Sequence, residues 1–63
     1  MGEEGLANSI GVARTDLNPT GKVFVHGELW EARSEQHVAP GGHVRVLKVD
    51  GLTLVVEPAE ESR

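Results

Sequence analysis

Eight glycines and three prolines cut this 63-residue chain into short runs, and that punctuation constrains the fold more than any other feature. The runs are rich in valine, leucine and isoleucine with a period near two, which is the pattern of short strands with one buried face. Five strands and no helix are predicted, at about Ser9–Thr15, Lys22–Val25, Glu28–Ser34, His43–Val49 and Leu52–Glu57. In the first, Ile10 and Val12 are expected to point inward, and Gly11 suggests a bulge or a close approach of another backbone. The stretch Glu35–Gly42 contains Pro40-Gly41-Gly42 and leaves no room for an ordinary helix with its two connections.

The connections have their own chemistry. Asn18-Pro19-Thr20-Gly21 reads as a type I turn, with Asn first, Pro setting φ second and Gly fourth. Asp50-Gly51 between Val49 and Leu52 is a strong hairpin signal, and His26-Gly27 is a weaker one of the same kind. If His26 and Gly27 form a two-residue loop, Val25 pairs with Glu28, Phe24 with Leu29, Val23 with Trp30 and Lys22 with Glu31. One face then carries Val23, Val25, Trp30 and Ala32 and belongs to the core; the other carries Lys22, Phe24, Leu29, Glu31 and Arg33 and faces water.

The last two strands do not keep one phase. Val44 and Val46 alternate, Val49 comes three residues later, and Leu52, Leu54 and Val56 alternate again. A phase slip of this kind calls for a bulge near Leu47 or Lys48, and a bulge bends a strand enough for a short sheet to curl shut. The expected fold is all-β: a small five-stranded closed barrel of the oligonucleotide/oligosaccharide-binding (OB) type, with Val38 plugging the end that a helix often caps. Residues 9–58 make up this barrel, residues 1–8 a flexible tail and residues 59–63 an acidic one.

A barrel this small buries only about 60% of the surface of its unfolded chain, and no cysteine is present to staple it. The three histidines, His26, His37 and His43, stand at spacings that match no metal-ligand pattern. Ten acidic residues against six basic ones give a net charge of −4, which opposes binding to a phosphate backbone because that binding runs on Lys and Arg. No aliphatic run exceeds the three residues Leu54–Val56, so direct membrane insertion of this segment is not expected.

The DLNPTGKV turn, the HGELWEA hairpin with Trp30 and Ala32, the PGGHVRV approach and the VDGLTLVVEP ending, spanning about Gly11 to Pro58, together closely resemble the C-terminal soluble domain of NfeD proteins. The family usually has Asp where His26 stands. The resemblance implies a small OB-like barrel behind membrane-spanning segments, working with stomatin- or flotillin-like membrane proteins and implicated in regulating membrane protease activity. In longer members a separate N-terminal serine protease domain does the chemistry. By the same resemblance, this chain is expected to be a free-standing or an excised piece of a membrane protein, membrane-associated through segments outside it, with the soluble domain on the cytoplasmic side.

No residue set points to catalysis or a cofactor. Ser34 and His37 lie three apart but lack an orienting group and an oxyanion donor pair, so a solvated loop is expected there. Glu28, Glu31 and Glu35 alternate in face or lie past the strand end, and Glu31 is expected to face Lys22. Lys48 lies too far from the Asp50-Gly51 apex to be a lipoyl or biotinyl carrier lysine and is expected opposite Thr53. The alternative reading, a single-stranded nucleic-acid-binding OB domain, needs stacked aromatics over a basic groove, and here Trp30 is expected inward. The outward Phe24 and Leu29, flanked by Lys22, Glu31 and Arg33, are the candidate partner-contact residues, for a stomatin-like protein or for self-association.

Overall fold

A computed structural model describes residues 7–59. They form five strands: β1 Ile10–Ala13, β2 Thr20–Val25, β3 Glu28–Ser34, β4 His43–Asp50 and β5 Thr53–Pro58. The strands close into a barrel in the order β1-β2-β3-β5-β4, with β4 returning to pair with β1. Only the pairing of β3 with β5 is parallel. Closure gives the inner strands' backbone groups partners on both sides and leaves no long open edge. The tails expected at residues 1–8 and 59–63 lie mostly outside the described residues. Of their described members, Asn8 donates its N–H to the Val46 carbonyl at 2.7 Å and Ala59 to that of His43 at 2.9 Å.

The β2–β3 hairpin has the expected register from Val25↔Glu28 to Lys22↔Glu31. Its loop residues His26 and Gly27 both have positive φ, 53° and 78°, as a type I′ turn requires.

In β1 the faces are the reverse of the expectation. Gly11 and Ala13 point inward and are buried, while Ile10 is 52% exposed and Val12 only half-buried. The cause is the tight seam with β2, where a Cβ on Gly11 would lie 2.5 Å from Val25 Cγ2 and 2.7 Å from the Phe24 carbonyl oxygen. Only a hydrogen fits there, so the small residues take the inner face and the larger apolar ones the outer. The close approach expected at Gly11 is therefore present.

The segment Asn18–Gly21 is not a type I turn. Thr20 and Gly21 already belong to β2, and the Asn18–Pro19 peptide is cis. The Pro19 carbonyl accepts the Ser34 N–H at 2.8 Å, prolonging the contact between β2 and β3.

The last hairpin is shifted by one residue from the sequence reading. Asp50 ends β4 opposite Thr53, so the loop is Gly51–Leu52 and not Asp50–Gly51, and Lys48 faces Val55 instead of Thr53. Of these loop residues only Gly51 has positive φ, 66°, the pattern of a type II′ turn with Gly in its first central position. The bulge falls where the phase slip put it: Val46 faces Val56, Lys48 faces Val55, and Leu47 is the extra residue between them.

The core is small and aliphatic. Val23, Val25, Ala32, Val44, Val46, Leu54 and Val56 come from the strands, and Leu17 and Val38 from the connections. Leu17 and Val38 donate backbone hydrogen bonds to each other, at 2.9 and 3.2 Å, and plug one end of the barrel. Val38 is the plug expected from the sequence. Leu17, outside any strand pattern, is its unforeseen partner. Trp30 faces inward but is only partly buried, packed with Val49 against the edge of this cluster.

Candidate functional site

The outer face of β1, β2 and β3 carries Ile10, Phe24 and Leu29, three of the exposed large apolar side chains among the described residues; Leu47 and Leu52 lie on the β4–β5 hairpin. Phe24 and Leu29 lie opposite each other across the β2–β3 ladder and are 39% and 56% exposed. Val12 pairs with Phe24 from the other side, and Ile10 lies two residues further along β1 on the same face. The result is one stripe, Leu29–Phe24–Val12–Ile10, crossing three strands. It exists because β1 turns its small residues inward, and the signal for it in the sequence was the spacing of Gly11 and Ala13.

Charges border the stripe. Lys22 Nζ donates to Glu31 Oε2 at 2.8 Å, two pairs along the hairpin from Phe24 and Leu29 and on the same face. The Arg14 guanidinium lies over the Phe24 ring, 5.5 Å from its centroid, in the range of a cation–π contact. This contact was not read from the sequence. Of the five candidates, Phe24, Leu29, Lys22 and Glu31 lie together. Arg33 is set apart by the Lys22–Glu31 pair, and its Nη2 is 3.8 Å from Asp50 Oδ2.

Arg33 belongs instead to a groove of about 490 Å³ on the other side of the barrel, lined by Ser34, Leu47, Lys48, Val55 and Glu57 among others. One lining carboxylate, Glu57 Oε2, accepts from Arg45 Nε at 3.1 Å and Nη2 at 2.6 Å. Opposite charges alternate around this groove, and no concentration of positive charge builds up.

The remaining sequence candidates are not brought together. Ser34 is buried and not solvated as expected, because its hydroxyl donates to the Gln36 carbonyl at 2.7 Å and accepts the Gln36 N–H at 3.2 Å. Those two bonds use the hydroxyl to fasten the start of the β3–β4 connection. His37 is exposed, with Nε2 3.4 Å from Asp16 Oδ1. Glu28 lies opposite Val25, and Glu31 is held by Lys22. Among the described residues no three His, Cys, Asp or Glu side chains converge as a metal site would need, and no helix is long and apolar enough to cross a membrane.

Comparison with known proteins agrees with this architecture. Residues 3–58 match the family model of the NfeD-like C-terminal, partner-binding domain. A membrane-bound protease of Pyrococcus horikoshii is 46% identical over 57 residues, which are 87% of this chain and 13% of that protein. A Methanocaldococcus jannaschii protein is 29% identical over 62 residues, 95% of this chain and 45% of the relative. The chain thus spans less than half the length of these curated relatives. The solved C-terminal domain of the stomatin operon partner protein 1510-C from P. horikoshii superposes with a TM-score of 0.89 at 41% identity, covering 97% of this chain and 98% of that one. The soluble domain of a Corynebacterium glutamicum membrane protein implicated in regulation of membrane protease activity gives 0.81 at 28% identity, covering 89% and 97%.

Proposed function

Because this chain belongs to the NfeD family, as its C-terminal partner-binding domain, we propose that it is a non-catalytic docking module that brings a stomatin- or flotillin-like membrane protein to a protease-regulating assembly. The observation that carries this reading is the exposed Phe24–Leu29 pair, set in an ordered sheet face between the Lys22–Glu31 ion pair and the stacked Arg14. Exposed apolar residues cost solubility. Held rigid in a row on a closed barrel, they lose little conformational freedom when a partner covers them, which makes such a row an effective contact. Lys22 and Glu31 serve as a polar rim that sets the register of the partner. Arg33 extends the rim toward the groove side.

A non-catalytic role is supported by the state of the polar groups. The Ser34 hydroxyl is engaged with the backbone of its own turn, and Glu31, Asp50 and Glu57 are each paired with a lysine or an arginine. A protein partner is favoured over single-stranded nucleic acid because the stripe offers one exposed aromatic, Phe24, while Trp30 faces the core. The domain would be held at the membrane, on its cytoplasmic side, by segments of the longer protein.

The test is capture of the co-expressed stomatin-like protein by the full-length membrane protein carrying Phe24→Ser and Leu29→Ser. Capture should fall about tenfold or more, since two apolar anchors are removed from the centre of the contact. Undiminished capture by a variant whose barrel is intact by circular dichroism would sink the proposal.

A further inference from the structure

We infer that the β2–β3 face is also a self-association surface, on which a second copy of this chain docks across a two-fold axis running along the hairpin between β2 and β3. This uses the same stripe as the docking function but does not depend on it.

The inference comes from the order of residues on the outer face. Lys22 and Phe24 stand on β2, directly opposite Glu31 and Leu29 on β3. A two-fold axis lying in the contact plane and parallel to these strands exchanges left with right and leaves height along the axis unchanged. It therefore lays β2 of each copy over β3 of the other. Phe24, with Arg14 over its ring, then meets Leu29, and Lys22 meets Glu31, twice over by symmetry, as an isologous interface requires. The axis also exchanges the β1 side with the β5 side. Val12, next to Phe24 on one flank, thus faces the Gly51–Leu52 turn, which lies beyond Leu29 on the other. Leu52, 84% exposed and the barest of the large apolar side chains among the described residues, gains a cover that its own barrel does not provide.

Charge selects this occupant. A face bearing like charges on both strands would repel its own copy, whereas one cation and one anion at mirrored positions attract it. The Lys22 and Glu31 side chains remain 43% and 56% exposed while paired, so each keeps lone pairs or protons for a partner across the axis. Two convex barrels touch over a limited area, below that of a standard stable interface. The association is accordingly weak in the isolated chain and strengthened wherever several copies are held in one membrane plane.

Sedimentation equilibrium of the 63-residue chain tests this with three proteins: wild type, Lys22→Glu and Glu31→Lys. Wild type should self-associate at high concentration. Each variant alone should do so about tenfold less or worse, because positions 22 and 31 then carry the same sign on both copies. An equimolar mixture of the two should regain wild-type association, because every facing pair is again opposite in sign. Mixing cannot restore a pair within one chain, so recovery reads only contact between chains; circular dichroism confirms that both variants are folded. A wild-type chain that stays monomeric at millimolar concentration, or a mixture no more associated than its components, overturns the inference. Either result leaves the stomatin-capture experiment unaffected, so the two ideas fail separately.

Discussion

The hairpins β2–β3 and β4–β5 have the same loop length and opposite tasks. The first keeps one pleat phase from Thr20↔Arg33 to Val25↔Glu28, so its residues sort cleanly into a buried row and an exposed row. The second slips by a residue at Leu47, bends, and so lets β4 reach β1 while β5 lies beside β3. Their outer faces differ accordingly. On β2–β3 the exposed apolar residues Phe24 and Leu29 face each other across the ladder, whereas on β4–β5 Leu47 and Leu52 stand apart, at the bulge and in the turn, and the ion pairs Arg45–Glu57 and Arg33–Asp50 lie beside them. A regular ladder presents side chains and an irregular one closes the barrel. In a domain with so little core, the two tasks are given to separate hairpins.

The comparison breaks most easily at leucine. Leu54 in β5 is fully buried, whereas Leu29 in β3 is 56% exposed. Leu54→Ala should cost about 2–5 kcal/mol, the range for a leucine truncated within a packed core. That is a large share of what a domain this size has to spare. Leu29→Ala should stay within about 0.5 kcal/mol, as for most surface changes. Trp30→Ala falls between them, at about 2 kcal/mol, because the indole is only partly buried and its buried Nε1 has no hydrogen-bond partner among the described residues. Urea denaturation of the three variants checks the order. Equal losses for Leu54 and Leu29 would show that the exposed hairpin face carries stability and is not free for a partner.

A smaller effect of opposite sign is expected at the turns. His26 holds φ at 53° with a full side chain, a conformation that asparagine tolerates far better. His26→Asn should stabilise the domain by about 0.5–1 kcal/mol, offset in part by loss of the 3.1 Å hydrogen bond between His26 Nε2 and Ser9 Oγ. Gly51→Ala should destabilise by about 1 kcal/mol, since Gly51 sits at φ 66°. A shift in thermal midpoint of the wrong sign for either variant would mean that its turn type is misassigned.

Legibility in the sequence follows the same division. The β2–β3 register could be read residue by residue because two-residue alternation and a single turn fix it. The bulge was legible as a break in phase, yet the loop beyond it was not, because Asp50-Gly51 and Gly51-Leu52 both place glycine in a tight turn and differ only in which position takes positive φ. In β1 the alternation of Ile10 and Val12 pointed inward, and only the distance of Gly11 from Val25 and Phe24 in space reverses it. Gly11 marked a close approach in the sequence, but not which neighbour comes close or that the approach is on the inner face. For the same reason the outer stripe was seen as two residues, Phe24 and Leu29, where four lie in a row. Leu17 was missed because a core residue in a connection has no periodicity to announce it, and the burial of Ser34 because its partners are backbone groups of its own turn.

The smallest expected effect concerns the ion pairs. Lys22–Glu31 on the presenting hairpin and Arg45–Glu57 on the closing one are both solvent-exposed, at 43% and 56% against 50% and 38%. Exposed pairs contribute about 0.2–1 kcal/mol by double-mutant cycle. The arginine pair should stand higher in that range, since two nitrogens reach one Glu57 oxygen, at 2.6 and 3.1 Å, and a planar guanidinium loses less freedom when it binds. The lysine pair should fall near the bottom, about 0.2–0.3 kcal/mol, because a single ammonium contact fixes a long flexible stem for little return. Cycles at low and high salt measure both couplings, and each should shrink as salt rises. If Lys22–Glu31 proved the stronger coupling in dilute, monomeric protein, those two side chains would be fastening the hairpin itself. The presenting face would then owe its order to its charges and not to the regular ladder beneath them.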